Sequence, residues 1–167
     1  DGTTLAFGAP GYERPGYVEV YYKQSDSAGS WNWELAGTFE GDTNGDLFGN
    51  SVSLSQNGKM LAVGSPGWYE RADRPGYVRV YMKEDDEWTQ LGEAIEGDAN
   101  GNMFGWSVSI SSDGTTVAIG APTTTNNDFS GYVRVYEAVE DGDGGMARWQ
   151  KVGQDINGEN EEDLSGW

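Results

Sequence analysis

One unit returns three times along this chain, and that repetition constrains the fold more than any single residue. The stretch DGTTLAFGAP from Asp1 recurs as NGKMLAVGSP from Asn57 and DGTTVAIGAP from Asp113, with glycines at positions 2, 58 and 114, two intervals of 56 residues. A second block, GYVEVYY from Gly16, returns as GYVRVYM from Gly76 and GYVRVYE from Gly131. A third reads WELAGTFEGD from Trp33, WTQLGEAIEGD from Trp88 and WQKVGQDINGE from Trp149. The fourth is LFGNSVSLS from Leu47 and MFGWSVSIS from Met103, with only its opening, LSGW from Leu164, seen a third time. Spacing in the second block drifts to 60 and 55 because the loop before it changes length. Repeat architectures confine insertions to one loop in this way.

Each repeat predicts four strands. Phe48, Val52 and Leu54 alternate with Ser51, Ser53 and Ser55, and Val108 and Ile110 with Ser107 and Ser109. A period of two is the strand signal. Asn57-Gly58 and Asp113-Gly114 predict two-residue hairpin turns with positive φ at both central residues, and Asp1-Gly2 the same. The next strand alternates large with small: Leu61 and Val63 against Ala62 and Gly64, Val117 and Ile119 against Ala118 and Gly120. The GYVRVY strand sets Val78 and Val80 on one side, Tyr77, Arg79 and Tyr81 on the other. A Trp-led strand closes the unit.

A sheet with a bulky face backed by Ser, Ala and Gly cannot bury the bulky side alone. It can lay that side on the small face of an identical neighbour. The prediction is all-β: a β-propeller of four-stranded antiparallel blades, about three of them here. The alternative is a β-sandwich, whose outer faces would be more polar than Ala-Gly. Units run approximately 1–46, 47–102 and 103–163, with 164–167 opening the next blade. Closed propellers have 4–8 blades, so the chain reads as a segment of a longer one, or as a protomer whose copies close a ring.

Charge and composition narrow the chemistry. Against 28 Asp and Glu stand 10 Lys and Arg, a net charge of −18, which repels nucleic acid and anionic membrane. With no Cys and no His, thiol nucleophiles, thiolate zinc sites, imidazole bases and a Ser-His-Asp triad are all excluded. No apolar run is long enough for a membrane span.

These blocks resemble the FG-GAP repeat family, the blades of integrin α-subunit propellers and their relatives. Phe48-Gly49 and Phe104-Gly105 match the FG, and Gly8-Ala9-Pro10, Gly64-Ser65-Pro66 and Gly120-Ala121-Pro122 the GAP; Ser165-Gly166 is a departure at the third FG place. The pattern W-x-Q-L-G, S-V-S-L-S and G-Y-V-R-V-Y is most similar to FG-GAP arrays on surface proteins of diatoms, other algae and marine bacteria. The resemblance implies an extracellular or cell-surface recognition or structural module. Integrin-type calcium loops are not carried over: the hairpins SQNGKM and SSDGTT are too short and carboxylate-poor for six to eight oxygens.

In a meander alternate loops emerge on opposite faces, so the loops after GAP and the blade-to-blade links share one face. The former carry Tyr12, Arg14, Trp68, Tyr69, Arg71, Arg74 and Phe129 as a candidate ligand or partner face. Aromatics with polar handles suit sugars and protein hot spots, or pack over the rim against Arg71 or Arg74. The links offer Asp42, Asn44 and Asp46, then Asp98, Asn100 and Asn102, alternating oxygens that suit a Ca²⁺ ion. The same residues equally hold turns by side-chain to backbone hydrogen bonds. No cofactor is required on this reading, and Ca²⁺ is the one candidate. Recurrent Trp33, Trp88 and Trp149 read as blade packing.

The expected function is therefore non-enzymatic: an extracellular module for adhesion, surface architecture or protein recognition. Its partners are a protein or glycan at the cell surface, or further blades of the same or another chain, without nucleic acid or membrane insertion. The alternative is a carbohydrate-binding, lectin-type propeller. Ligating residues of a one-site-per-blade lectin would repeat with the unit, and the post-GAP loops instead differ in length and content.

Overall fold

A computed structural model describes residues 2–11, 13–67, 74–123, 130–140, 146–160 and 162–167. Strands β1 (Thr4–Ala9), β2 (Tyr17–Ser25) and β3 (Trp31–Glu40) form the first sheet. The second holds β4 (Ser51–Leu54), β5 (Met60–Ser65), β6 (Tyr77–Glu84) and β7 (Glu87–Gln90), with β8 (Ile95–Glu96) also on β6. The third holds β9 (Ser107–Ile110), β10 (Thr116–Ala121), β11 (Tyr132–Glu140) and β12 (Met146–Asn157). All pairings within the sheets are antiparallel, in chain order, as a meander requires.

Register sorts the side chains of the second sheet into two unlike faces. Ser51 pairs Gly64, Ser53 pairs Ala62, and these pair Val78 and Val80 on β6, so small residues and two valines share one face. Val52, Leu54, Leu61, Val63, Arg79 and Tyr81 share the other.

The stacking follows from these faces. Leu61, Val63 and Tyr81 bury against Val18, Val20 and Phe39 of the first sheet. Val117, Ile119, Tyr132 and Tyr136 of the third sheet bury against Ala62, Val78, Val80, Leu91 and Ile95 of the second. Leu61, Val63, Val117 and Ile119 have no solvent exposure. Each bulky face therefore lies on its neighbour's small face, as the large/small alternation predicts, and the valines of the GYVRVY strand fill that face out. Burying an aliphatic side chain of this size contributes about 1.5–3 kcal/mol. The first strands are innermost: β4 touches both β1 and β9, Ser53 Oγ accepts from Ile110 N at 3.1 Å, and Gln56 N donates to Ser112 O at 3.0 Å.

The FG and GAP glycines meet at each junction. A Cβ on Gly64 would stand 2.1 Å from the carbonyl oxygen of Gly105, one on Gly8 1.9 Å from that of Gly49, and one on Gly120 2.1 Å from that of Gly166. The same carbonyls accept side-chain bonds: Ser51 Oγ donates to Gly105 O and Ser107 Oγ to Gly166 O, both at 2.9 Å. Ser165-Gly166 therefore seats like an FG pair even without the phenylalanine.

Two local expectations need correction. The hairpins at Asn57-Gly58 and Asp113-Gly114 are not two-residue turns with positive φ at both centres: Gly58 (67°) and Gly114 (81°) are left-handed and the residues before them are not, while Asp1 of the Asp1-Gly2 turn lies outside the described residues. Gly58 N donates to Ser55 O and Gly114 N to Ser111 O, so each turn centres one residue earlier and the glycine follows it. Asn57 Oδ1, accepting from Ser55 Oγ and Lys59 N, holds that shape, as Asp113 does with Ser111 and Thr115. The Asp113 carboxyl is held down at about 2, first by the Ser111 hydroxyl and then by Thr115. Second, the Trp-led strand of the second sheet is broken into β7 and β8. Leu91 N still donates to Val80 O at 2.8 Å, and pairing resumes at Ile95 opposite Val78.

Candidate functional site

The blade-to-blade links are stitched to the post-GAP loops along one edge, as the meander predicts. Gly45 N donates to Arg14 O and Phe48 N to Pro15 O; Gly101 N to Arg74 O and Phe104 N to Pro75 O; Ser165 N to Ser130 O. The edge is thus one hydrogen-bonded platform. Of the candidate partner residues, Arg14 is exposed on it and Arg74 is half exposed. Tyr12, Trp68, Tyr69, Arg71 and Phe129 lie outside the described residues.

The link oxygens are engaged by the protein itself. Asp46 is buried; its Oδ2 accepts from Thr43 N (2.9 Å), Asp42 N (3.2 Å) and Tyr77 OH (3.2 Å), and its Oδ1 from Arg74 at 3.2 Å. Burial pushes the Tyr77 hydroxyl up to about 12, so it stays a donor to that carboxylate. Asp163 repeats the turn bond, accepting from Asn160 N at 2.8 Å. In the middle link Asn102 takes this place; its Nδ2 donates to Tyr132 OH at 3.4 Å and its buried Oδ1 has no partner. Asn44 and Asn100 face solvent. Among the described residues, no three acidic side chains converge as a metal-binding group.

Asp42 and Asp98, offered above as calcium oxygens, each take an arginine from the following sheet. Arg79 NH2 donates to Asp42 Oδ2, and Arg134 NH2 to Asp98 Oδ2 at 2.5 Å. Each guanidinium lies over two neighbouring rings: Arg79 is 5.9 Å from Phe48 and 5.0 Å from Tyr77, Arg134 5.7 Å from Phe104 and 5.1 Å from Tyr132. Cation–π contact and a charged hydrogen bond thus latch each junction. Lys23 and Lys83 likewise stand over Trp31 and Tyr22, 4.5 and 4.0 Å from the ring centres, and Arg71, offered above as a rim cation, lies outside the described residues.

The two latches differ at one residue. Arg134 also donates through Nε and NH2 to Asp155, at 2.7 and 2.8 Å, which holds that carboxyl down at about 2. Ala94 stands where Asp155 would be in the second sheet, and Arg79 Nε is buried without a partner. In the first sheet the register position of Arg79 and Arg134 belongs to Glu19, whose Oε2 accepts from Tyr21 OH at 2.7 Å. Arginine in two GYVxVY copies and glutamate in the other was the available signal.

A groove of about 580 Å³ opens between the second and third sheets, lined by Glu93, Ile95, Glu96, Tyr136, Arg148 and Trp149. At the previous junction Phe39 fills this place, 4.2 Å from Tyr81 and edge-on to Trp88. Ile95 leaves the space of a ring. Trp149 Nε1 donates to Leu91 O at 3.3 Å, which anchors one wall, whereas the buried Nε1 of Trp88 finds no acceptor.

Among the described residues, no helix is long and apolar enough to cross a membrane. Residues 88–136, from β7 to β11, match the FG-GAP repeat family. No curated protein matches the chain in sequence. The periplasmic gluconolactonase PpgL of Pseudomonas aeruginosa is similar in structure, at 17% identity and a TM-score of 0.49 over 90% of this chain, which spans 39% of that one. The segment that matches the FG-GAP repeat joins the second and third sheets, and these stacked antiparallel sheets are blades of an all-β propeller fold.

Proposed function

We propose that this chain is a non-enzymatic cell-surface module that recognises proteins through the platform of links and post-GAP loops. The observation that most supports this reading is the bonding of each link to its loop, which presents Arg14, Asn44, Asp98, Asn100 and Glu159 from rigid sheets. Rigid presentation lowers the ordering cost of binding. A chain without His or Cys is poorly equipped for nucleophilic catalysis, and the FG-GAP likeness favours a surface setting. The test is selection of phage-displayed peptides against the immobilised chain. Binders should lose affinity at least tenfold with Arg14→Glu and Asn100→Lys together, and keep it with Lys59→Glu on the opposite edge. Binders indifferent to the platform substitutions would sink the reading.

A second reading is favoured by the groove over Ile95: a pyranose ring stacked on Trp149, its hydroxyls bonded by Glu93, Glu96 and Arg148. A glycan panel read by tryptophan fluorescence tests it. Binding should vanish in Ile95→Phe, which refills the groove as Phe39 does; binding that survives counts against it.

A further inference from the structure

Asparagine precedes glycine at positions 44, 57, 100 and 157, and all four asparagines are exposed. This pairing is thermally labile, because a residue without Cβ leaves its backbone nitrogen open to the side-chain amide carbon before it. The dipeptides are alike in sequence; their hydrogen bonds are not.

Two of the pairs are held. Asn57 Oδ1 accepts from Ser55 Oγ and Lys59 N, and Gly58 N donates to Ser55 O. Asn157 ends β12 in register with Tyr132, and Gly158 N donates to Gly131 O at 3.0 Å. The other two occupy equivalent turns of the first and second links. Gly45 N donates to Arg14 O at 3.3 Å and Gly101 N to Arg74 O at 3.1 Å. Each turn is closed by a further backbone bond, Asp46 N to Thr43 O and Asn102 N to Ala99 O.

What separates these two is the residue two places on. Asp46 reaches back to Asp42 N and Thr43 N and also takes Tyr77 OH and Arg74, closing the first link into a ring that contains Asn44. In the second link Asn102 makes one bond of 3.4 Å to Tyr132 OH, and among the described residues its buried Oδ1 has no partner. It therefore clasps neither Asp98 N nor Ala99 N. Thr123 Oγ1 donates to Gly101 O at 2.5 Å, but that carbonyl lies beyond the peptide plane that has to turn. Local opening is easiest where the fewest bonds hold the backbone.

We infer that Asn100 is a modification site, the pair at which this chain deamidates. The Gly101 nitrogen attacks Asn100 Cγ and gives its proton to solvent; the Cγ–Nδ2 bond breaks, and ammonia leaves a cyclic imide. Water then adds to either ring carbonyl, and the ring opens to aspartate or to isoaspartate. Both products set a carboxylate near Asp98, the acceptor of Arg134, and isoaspartate also lengthens the backbone of the link by one carbon. The platform presents Asn100, so its surface changes with age whatever it binds.

Peptide mapping by mass spectrometry, on the folded chain held at mildly alkaline pH, follows all four pairs. Each rate is divided by that of the same pair in the urea-unfolded chain, which removes the influence of the preceding side chain. On that scale Asn100 should convert about tenfold faster than Asn44, Asn57 or Asn157, the ratio that one or two net hydrogen bonds set. Asn102→Asp restores the clasp of the first link and should slow Asn100 by about the same factor. Asp46→Asn should release Asn44, and either variant suffices if the other folds poorly. Equal normalised rates at Asn44 and Asn100 would overturn the inference. So would an Asn102→Asp chain that converts Asn100 undiminished, or an Asp46→Asn chain that leaves Asn44 as slow as before.

Discussion

The carbonyl oxygen of Gly105 rests on the α-carbon of Gly64, on the neighbouring sheet, with no room between them for a methyl group. The contact joins the FG of one repeat to the GAP of the one before, and it recurs at Gly8–Gly49 and Gly120–Gly166. Backbone meets backbone there, so neither side can swing aside.

Gly64→Ala should therefore cost about 2–3 kcal/mol or more, at the upper end of overpacking. Gly120→Ala should behave alike. Urea unfolding measures both, and a loss below about 0.5 kcal/mol would mean the sheets slide apart at small cost.

Arg134 is the better-held latch because it serves Asp155 and Asp98 while Arg79 serves Asp42. Arg134→Met should cost about 2 kcal/mol, since the partly buried Asp155 carboxylate loses its two-bonded partner and keeps only Lys151, 2.7 Å away. Arg79→Met should cost about 1 kcal/mol, its one carboxylate being exposed. Equal losses in urea unfolding would contradict this ranking.

Giving Arg79 the missing acceptor should stabilise the protein. Ala94→Asp places a carboxylate where Asp155 sits in the third sheet, and should add about 1 kcal/mol. The gain must disappear in an Arg79→Met background; if it persists, the orphaned Nε is not its cause.

Acid should loosen the third sheet. Asp155 has its pKa lowered to about 2 in the folded chain, below the usual carboxylate value near 4. Its stabilising contribution is complete above about pH 4 and is lost as pH falls from there through 2. Asp155→Asn should lower the midpoint temperature at neutral pH by a few degrees and flatten its fall over that acid range. An unchanged slope in thermal scans would refute the assignment.

Calcium should raise the midpoint temperature no more than matched ionic strength does. Asp42 and Asp98 already hold arginines, and Asp46 holds backbone amides, so a cation would have to displace bonds in place. A calcium-specific rise of several degrees would reverse this expectation.

Sheet count, strand order and stacking direction were legible because they rest on a period of two and on Ala62, Gly64, Ala118 and Gly120 standing opposite bulky neighbours. The hairpin geometry was misread because Asn57 and Asp113 act through their side chains, bonding Lys59 and Thr115, and periodicity carries no trace of that. The latches were missed for a different reason. Arg79 and Arg134 lie on strands, where a lone charge reads as solvent-facing, and only three-dimensional closure brings Asp42 and Asp98 from the links beneath them. Glu19 was visible as a departure in its block, yet without the latch it had no meaning.

The two faces of every sheet are unlike, and that gives the stack a polarity. Pairing across a twofold axis would set bulky side on bulky side, and would not reproduce the bulky-on-small seating of the inner junctions. Whatever joins this chain must add in the same sense as its own sheets, nose to tail. Growth in one sense ends when the last sheet reaches the first, or else runs on as a spiral.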